Sequence, residues 1–409
     1  MMQSNELFAT ALGVSAPWYV KTVDFDVAKR VLTIEVDFIK GSRFSVDGVV
    51  GQHSAYDTRT KRYRHLNFFQ HECYLEVRSP RVKLPDGRLV QVEPDWAGKL
   101  SGFTLLFEAF VLILCRKMTF KDAAEVAGVS WYQAHAICKR YVDLAVEKLD
   151  LSNLKEVAFD ETSCKRGHKY ITFAADADEH KVVFVTEGKD AGTVAEFSDF
   201  LTDHKGKPEQ IASVSIDMSK AFIKGVTENL PKARITFDKF HVIAHASKAV
   251  DDTRRSEQKT DPSLKGLRWA LLKSNEKLTS DQKADLTVFL ATATTGKTAS
   301  AWRFREQLRE ILQCKQVNVA TTRLRRWCAN VNRSKIEAMK KVAQMILEHF
   351  DGITAWAQTR QTNGFLEALN GLFQAAKRKA RGYGNFATMR IVAYLIAGDL
   401  NFSAINQHA

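Results

Sequence analysis

Between residues 155 and 240 short apolar runs alternate with amphipathic ones, and this alternation limits the possible folds more than any other feature. EVAFDE, KYITFAAD and KVVFVTE follow one another, separated by turn residues, and each reads as a strand. A helix is expected at about 191–203, then the buried strand ASVSID (212–217), a helix from 219, and the strand ARITFD (233–238). Three meandering strands followed by alternating helix and strand predict an α/β domain. After 241 the strands stop. Residues 241–360 hold three glycines and one proline, with helical apolar spacing in several stretches, which predicts a mostly helical insertion.

Upstream, residues 1–100 read as small β-rich pieces. VDFDV (23–27) and LTIEVDF (32–38) alternate about a short turn, as in a half-buried hairpin. The basic run RTKRYRH (59–65) precedes a strand-like stretch, FFQHECYLEVRSPRVKL, and KLPDGRL (83–89) carries turn chemistry. Residues 103–149 switch to helical periodicity, and MTFKDAAEVAGVSWYQAHAICKRYV (118–142) has the layout of a helix-turn-helix. Thr119 caps a first helix whose apolar positions include Ala123, Ala124 and Val126. Gly128 supplies the tight turn, Val129 is its buried residue, and Ser130 caps the second helix. That helix is expected to bury Ala134, Ile137 and Tyr141 and to expose Gln133, His135, Lys139 and Arg140. A plain helical hairpin is the simpler alternative.

The expected organisation is a β-rich domain (1–100), a helix-turn-helix (101–150), the first part of the α/β core (151–240), a helical insertion (241–355), and the C-terminal part of the core (356–409). Sixty lysines and arginines against 47 acids give a formal net charge of +13. Such a field suits a polyanion, because each phosphate contact releases condensed counterions, although acidic membranes and RNA attract the same surface. MMQSNELFAT lacks the basic start and apolar core of a signal peptide. LLFEAFVLILC (105–115) is too short to span a bilayer and contains Glu108. Cys73, Cys115, Cys138, Cys164, Cys314 and Cys328 form no C-x-x-C pair, which argues for a reducing cytosol. A cytoplasmic, nucleoid-associated protein without a membrane partner is expected.

Asp160 closes the apolar run EVAFD, and Asp217 closes ASVSID. An acid at the limit of a buried strand is costly unless it is paired. A lone aspartate there more often caps its strand at the surface; two, on the first and fourth strands, point to a shared site. The third acid is Glu367, in QTNGFLEALNGLFQAAKRKARGYGNF, where Asn363 and Gly364 form a loop before helical spacing through Leu366, Leu369, Leu372 and Phe373. Attraction to the helix N-terminus is its blander explanation. The same helix ends in Lys377, Arg378, Lys379 and Arg381, placed for a DNA backbone. Two aspartates and a glutamate suit a pair of Mg²⁺ (or Mn²⁺) ions, which take oxygen ligands. Held about 3.5–4 Å apart, two such ions promote phosphodiester cleavage.

Four segments carry a family resemblance: VAFDETSCKRGHKYIT around Asp160, SIDMSKAF around Asp217, TNGFLEALNGLFQAAKRKARGYGNF around Glu367, and FDKFHVIAHASKAVDDTRR at 237–255. Over roughly 155–400 they resemble the ISL-three family of insertion-sequence transposases. The resemblance implies a bacterial DDE transposase with a ribonuclease-H-like core, two Mg²⁺ (or Mn²⁺) ions on Asp160, Asp217 and Glu367, and a helical insertion before the glutamate. Asp238-Lys-Phe-His241 is similar to the Asp/Cys-x-x-His signature of insertion-containing transposases, which would put His241 near the scissile phosphate; a histidine satisfied beneath the insertion is the alternative. Family members usually begin with a zinc ribbon. RFSVDG (43–48) and KLPDGR (83–88) contain no cysteine, and His53, His65, His71 and Cys73 match no standard tetrahedral spacing, so a degenerate ribbon without zinc is expected.

The implied activity is binding of terminal inverted repeats, cleavage of the element ends and joining of 3′-hydroxyls to target DNA. Gln133, Lys139 and Arg140 on the second helix, with Arg62 and Arg64 in the basic run, are the expected contacts to double-stranded DNA. Holding two ends implies a homodimer or larger assembly. Of Trp269, Trp302, Trp327 and Trp356, Trp327 in TTRLRRWCAN has the most basic surroundings and is the first candidate to stack an extruded base. The rival readings are a ribonuclease-H-like structure-specific nuclease and a domesticated, catalytically silent DNA-binding regulator.

Overall fold

A computed structural model describes residues 4–98, 100, 102–165, 169–292, 296–359 and 364–403. Asn363, expected in the loop before Glu367, lies outside the described residues. The chain divides into two compact units: Met1–Val146 with Ala376–Gly384 and Leu400–Ala409, and Glu147–Ala375 with Asn385–Asp399. No helix among the described residues is long and apolar enough to cross a membrane.

The first unit opens with helix α1 (Ser4–Ala11) and six strands: β1 (Trp18–Asp26), β2 (Val31–Phe38), β3 (Arg43–Val46), β4 (Val49–Phe68), β5 (His71–Lys83) and β6 (Leu89–Gln91). They form one sheet in the order β1-β2-β5-β4-β3, with β6 beside β5. The expected hairpin is present, β1 pairing with β2 from Trp18↔Phe38 to Asp26↔Val31. The basic run RTKRYRH does not separate strands but lies inside the twenty-residue β4, which folds back on β5 through Phe68↔His71. Period-two alternation explains why it can do so. Leu32, Ile34 and Val36 on β2 and Cys73, Leu75 and Val77 on β5 turn to one core with Tyr63, while Glu35, Arg62 and Glu76 between them reach solvent and Arg64 is buried.

Helices α2 (Leu105–Lys117), α3 (Phe120–Ala127) and α4 (Trp131–Glu147) follow. The Thr119 hydroxyl accepts from the Asp122 N–H at 3.2 Å, and Gly128 takes the left-handed conformation (φ 67°) that only glycine adopts without strain. The Ser130 hydroxyl accepts from the Gln133 N–H at 3.2 Å, and the Gln133 side chain accepts from the Ser130 N–H at 2.9 Å, a reciprocal cap. Ala134, Ile137 and Tyr141 are buried as expected. Val126 is instead 61% exposed, because the buried stripe of α3 runs through Phe120, Ala123, Ala124 and Ala127, and Val129 is only half-buried. Glu108 of α2 is fully buried and paired, accepting from the Leu100 N–H at 2.9 Å and from the Tyr141 hydroxyl.

The second unit is built on β7 (Glu156–Lys165), β8 (Lys169–Asp176), β9 (Lys181–Glu187), β10 (Ser213–Ile216) and β11 (Arg234–Phe237), in the order β11-β10-β7-β8-β9. β7, β8 and β9 form an antiparallel meander; β10 lies parallel to β7 and β11 parallel to β10. Helices α5 (Ala191–Asp203) and α6 (Lys220–Asn229) connect them, close to the positions expected. β7 does not stop at Asp160. It runs on to Lys165, because β8 remains paired with it after the shorter β10 has ended.

Past β11 come α7 (Lys239–Glu257), α8 (Arg268–Leu272), α9 (Ser280–Thr292), α10 (Lys297–Ile311), α11 (Val317–Arg333), α12 (Glu337–Glu348), α13 (Phe350–Thr359), α14 (Gly364–Lys379) and α15 (Phe386–Ala397). Val157, Phe159, Val214, Ile216 and Phe237 share one apolar core with Phe197, Phe222, Val250, Leu308, Val331 and Ile346, so one face of the sheet is dry. The other face positions the site.

Candidate active site

Asp160, Asp217 and Asp238 occupy equivalent places on three neighbouring parallel strands. β10 pairs with β7 as Ser213↔Glu156, Val214↔Val157 and Ser215↔Ala158, and with β11 from Ser213↔Arg234 to Ile216↔Phe237. Carrying both registers past the end of β10 sets Asp217 level with Asp160 on one side and Asp238 on the other. The Asp238 N–H donates to the Ile216 carbonyl at 3.2 Å, which keeps the pairing to that point. Since Phe159, Ile216 and Phe237 point into the core, the alternation of a strand turns the three following acids to the opposite face.

Local turns hold each carboxylate. Asp160 Oδ1 accepts from the Glu161 N–H at 2.9 Å, and Asp217 Oδ1 from the Ser219 N–H at 2.9 Å, ahead of α6. Asp238 caps α7, accepting from the Phe240 N–H at 3.2 Å, and His241 follows in the first turn of that helix. The α14 helix lies against the acid-bearing face. The Asn370 amide donates to Asp160 Oδ2, while Gln374 Nε2 donates to Thr162 Oγ1 at 2.8 Å and to the Ser163 carbonyl at 3.0 Å. Phe373 packs edge-on against Phe173, the residue paired with Asp160, at 5.6 Å. Glu367, Asn370 and Gln374 fall three, then four residues apart, on one stripe of the helix.

Glu367 is exposed, in the first turn of α14. Its carboxylate, that of Asp238 and a ring nitrogen of His241 all lie within 4.8 Å of one another, the one such group of three potential metal ligands among the described residues. Asp160 and Asp217 stand outside that group, so the three carboxylates expected to converge are not gathered at one point. Asp160 and Asp217 are neighbours along the row of strands; Glu367 sits nearest its Asp238 end.

The electrostatics are those of crowded acids. Burial, then the charges of Glu161 and Asp217, push the Asp160 carboxyl up to about 7, against the pull of His241. Glu161 is raised by burial and by Asp217, and Glu367 by burial and by Asp238. Burial and the neighbouring His241 hold His245 below the ordinary histidine range. Five crowded carboxylates, Asp160, Glu161, Asp217, Asp238 and Glu367, with a histidine are the donor set of an oxygen-preferring divalent cation, whose charge would relieve the repulsion.

Sequence reasoning did not single out Glu161, Asp238 as a carboxylate, Asn370 or Gln374. Asp238 was legible: it closes ARITFD as Asp217 closes ASVSID. The other three carried no signal beyond their spacing from Asp160 and Glu367.

The expected DNA contacts fare unevenly. Arg62 is half exposed, its guanidinium 3.9 Å from the Tyr74 ring centre and 3.7 Å from Glu76. Arg64 is buried, donating to the His65 and Cys73 carbonyls and to Asn67, so its charge is used inside the sheet and not offered to phosphate. Gln133 and Lys139 are exposed, the former engaged in the Ser130 cap and the latter 2.7 Å from Asp143; Arg140 and His135 are half-buried. Arg378 and Arg381 are exposed, Lys377 half-buried, and Lys379 stands 3.4 Å from Asp122. Trp327 is 3% exposed and donates its indole N–H to the Phe304 carbonyl at 2.8 Å, which leaves no ring face for a base. Trp269, 55% exposed beside Arg268, is the open ring of the four. His65 and Cys73 sit opposite each other on β4 and β5, and burial, with the neighbouring Arg64 charge, pushes His65 down to about 4.

A family model described as transposase matches residues 157–393, and one described as the helix-turn-helix domain of transposase family ISL3 matches residues 92–142. The transposase for insertion sequence element IS1557 of Mycobacterium tuberculosis is 27% identical over 420 residues, covering 93% of each chain. The transposase for insertion sequence element IS1001 of Bordetella parapertussis is 24% identical over 339 residues, covering 80% of this chain and 82% of its own. The first family match spans more than half of the chain and takes in Asp160, Asp217, Asp238 and Glu367; the chain belongs to the ISL3 family of insertion-sequence transposases.

Proposed function

We propose that the second unit is a ribonuclease-H-like catalytic core of DDE type, which cleaves the ends of a bacterial insertion sequence and joins their 3′-hydroxyls to target DNA. One observation carries the reading: three aspartates stand abreast on neighbouring parallel strands, with a glutamate brought to the same face by a later helix. The antiparallel meander followed by two parallel strands supports the core assignment.

Asp160, Asp217 and Glu367 are the residues that would hold Mg²⁺ or Mn²⁺. Bound there, two such ions supply activation of the attacking oxygen and charge stabilisation at the leaving one. The chain's own contributions follow from its chemistry. Ionised carboxylates only accept hydrogen bonds, so they exclude the phosphate's oxygens unless a cation intervenes. His241, beside Glu367 and Asp238, offers a ring N–H to the scissile phosphate. The α3–turn–α4 motif binds the terminal inverted repeats, with Lys139 and Arg62 toward phosphates, and Arg378 and Arg381 extend the basic surface along the DNA backbone. Because two ends must be held together, the working form is a homodimer or larger.

Incubating the protein with a labelled element end and Mg²⁺, and mapping the cut, tests this. Asp217→Ala is expected to bind ends normally and to cut nothing; cleavage at the wild-type rate would overturn the assignment. Joining of a pre-cut end to a target plasmid separates a transposase from a nuclease without strand transfer and from a silent regulator.

A further inference from the structure

Asn370 is held at the carboxylate row by contacts that leave half of its amide unused. Its Nδ2 donates to Asp160 Oδ2, while Asp160 Oδ1 already accepts from the Glu161 N–H. Asn370 Oδ1 is withdrawn from solvent and meets no hydrogen-bond donor among the described residues. The reverse amide orientation would set that oxygen against the carboxylate and cost more. A buried acceptor left unmade costs about 1–3 kcal/mol, and such an atom beside the carboxylate row points to a donor or cation that completes it. One turn further, Gln374 fixes α14 to the Thr162–Ser163 segment of β7, so that Asn370 is held from both sides.

We infer that Asn370 is a working residue of the active site: its N–H orients Asp160, and its Oδ1 is the acceptor offered to the divalent ion or to that ion's water shell. The inference rests on the two-ion reading above. It also couples the two acids that are farthest apart in sequence. Glu367 lies on the same stripe of α14, so the amide that orients Asp160 also fixes where Glu367 is presented.

The test is Mn²⁺ binding by the full-length protein, measured by titration calorimetry and by the rise in melting temperature on adding Mn²⁺, beside cleavage as a function of Mg²⁺. Removing a group that orients a metal ligand typically weakens binding about 10–100-fold. Asn370→Ala is expected to weaken Mn²⁺ binding at least about tenfold and to raise the Mg²⁺ needed for half-maximal cleavage in parallel. Gln374→Ala, which loosens α14 without touching an acid, is expected to bind Mn²⁺ within about twofold of wild type. Asn370→Asp keeps the oxygen and adds charge; it is expected to melt lower than wild type without metal and to gain more from Mn²⁺, which decides the matter if the alanine variant does not fold. Unchanged Mn²⁺ binding and Mg²⁺ demand in Asn370→Ala, or an equal loss in Gln374→Ala, would overturn the inference. Asp217→Asn distinguishes the levels: if it too binds Mn²⁺ normally, the two-ion reading has failed, and not the role of Asn370 alone.

Discussion

Glu108 and Asp160 are both carboxylates withdrawn from water, one in each unit, and they are treated in opposite ways. Glu108 is surrounded by donors, the Leu100 N–H and the Tyr141 hydroxyl, and it ties α2 to α4. Asp160 receives the Glu161 N–H and the Asn370 amide, yet Glu161 and Asp217 crowd it with like charge. A buried acid given neutral donors serves the fold; one given further acids makes a place for something positive. The histidines repeat the contrast: His65 is packed neutral in the first unit, while His241 stands among acids in the second.

Substitutions can break this comparison. The largest effect is expected from Asp217→Asn: end cleavage falls by about 10³-fold or more, the rate equivalent of several kcal/mol of lost charge stabilisation, while the metal-free protein melts no lower, because a repulsive charge is gone. Glu108→Ala does the reverse. It deprives the Leu100 N–H and the Tyr141 hydroxyl of this acceptor and opens a cavity, so a loss of about 3 kcal/mol in denaturant unfolding is expected, with no selective change in metal demand. A Glu108→Ala protein as stable as wild type would remove the distinction.

The pH dependences should run in opposite directions. Folded Asp160 titrates at about 7 against an ordinary 3.8, so the folded chain keeps a proton that the unfolded chain gives up. Its contribution to stability therefore falls as pH rises from about 4 to about 7. His65 titrates at about 4 against 6.5, so its contribution is lost as pH falls through that window. Melting temperatures of the metal-free protein at pH 5 and pH 7 check both: Asp160→Asn should raise the pH 7 value relative to pH 5, and His65→Gln should do the opposite. The smallest effect is expected at the half-exposed Arg62, where Arg62→Ala lowers the salt dependence of end binding by about one ion without altering the fold. The same change at buried Arg64 should appear first as a lower melting temperature.

The sheet of the second unit was legible because its strands are apolar runs broken by turn residues, and period-two alternation survives in a single sequence. Asp160 and Asp217 were found by the same signal. Arg64 was misjudged because a basic run looks alike whether its charges face water or carbonyls; only its burial and its donation to the His65 and Cys73 carbonyls, which no pattern in the run announces, show where its charge goes. Trp327 was misjudged for the same reason, since basic neighbours on a helix surround an apolar stripe as readily as a binding face. Asn370 was invisible: an amide acquires meaning from what it meets across more than two hundred residues of chain, and Asp160 is that far away.

A row of acids set level across β7, β10 and β11 also restricts how relatives of this chain can diverge in length. Losing one residue from β10 or β11 would swing its aspartate to the far side of the sheet. Lengthening the helical stretch between Lys239 and Thr359 adds only a slowly growing closure entropy. Insertions and deletions should therefore collect in those helices and be barred from the two shortest strands of the sheet.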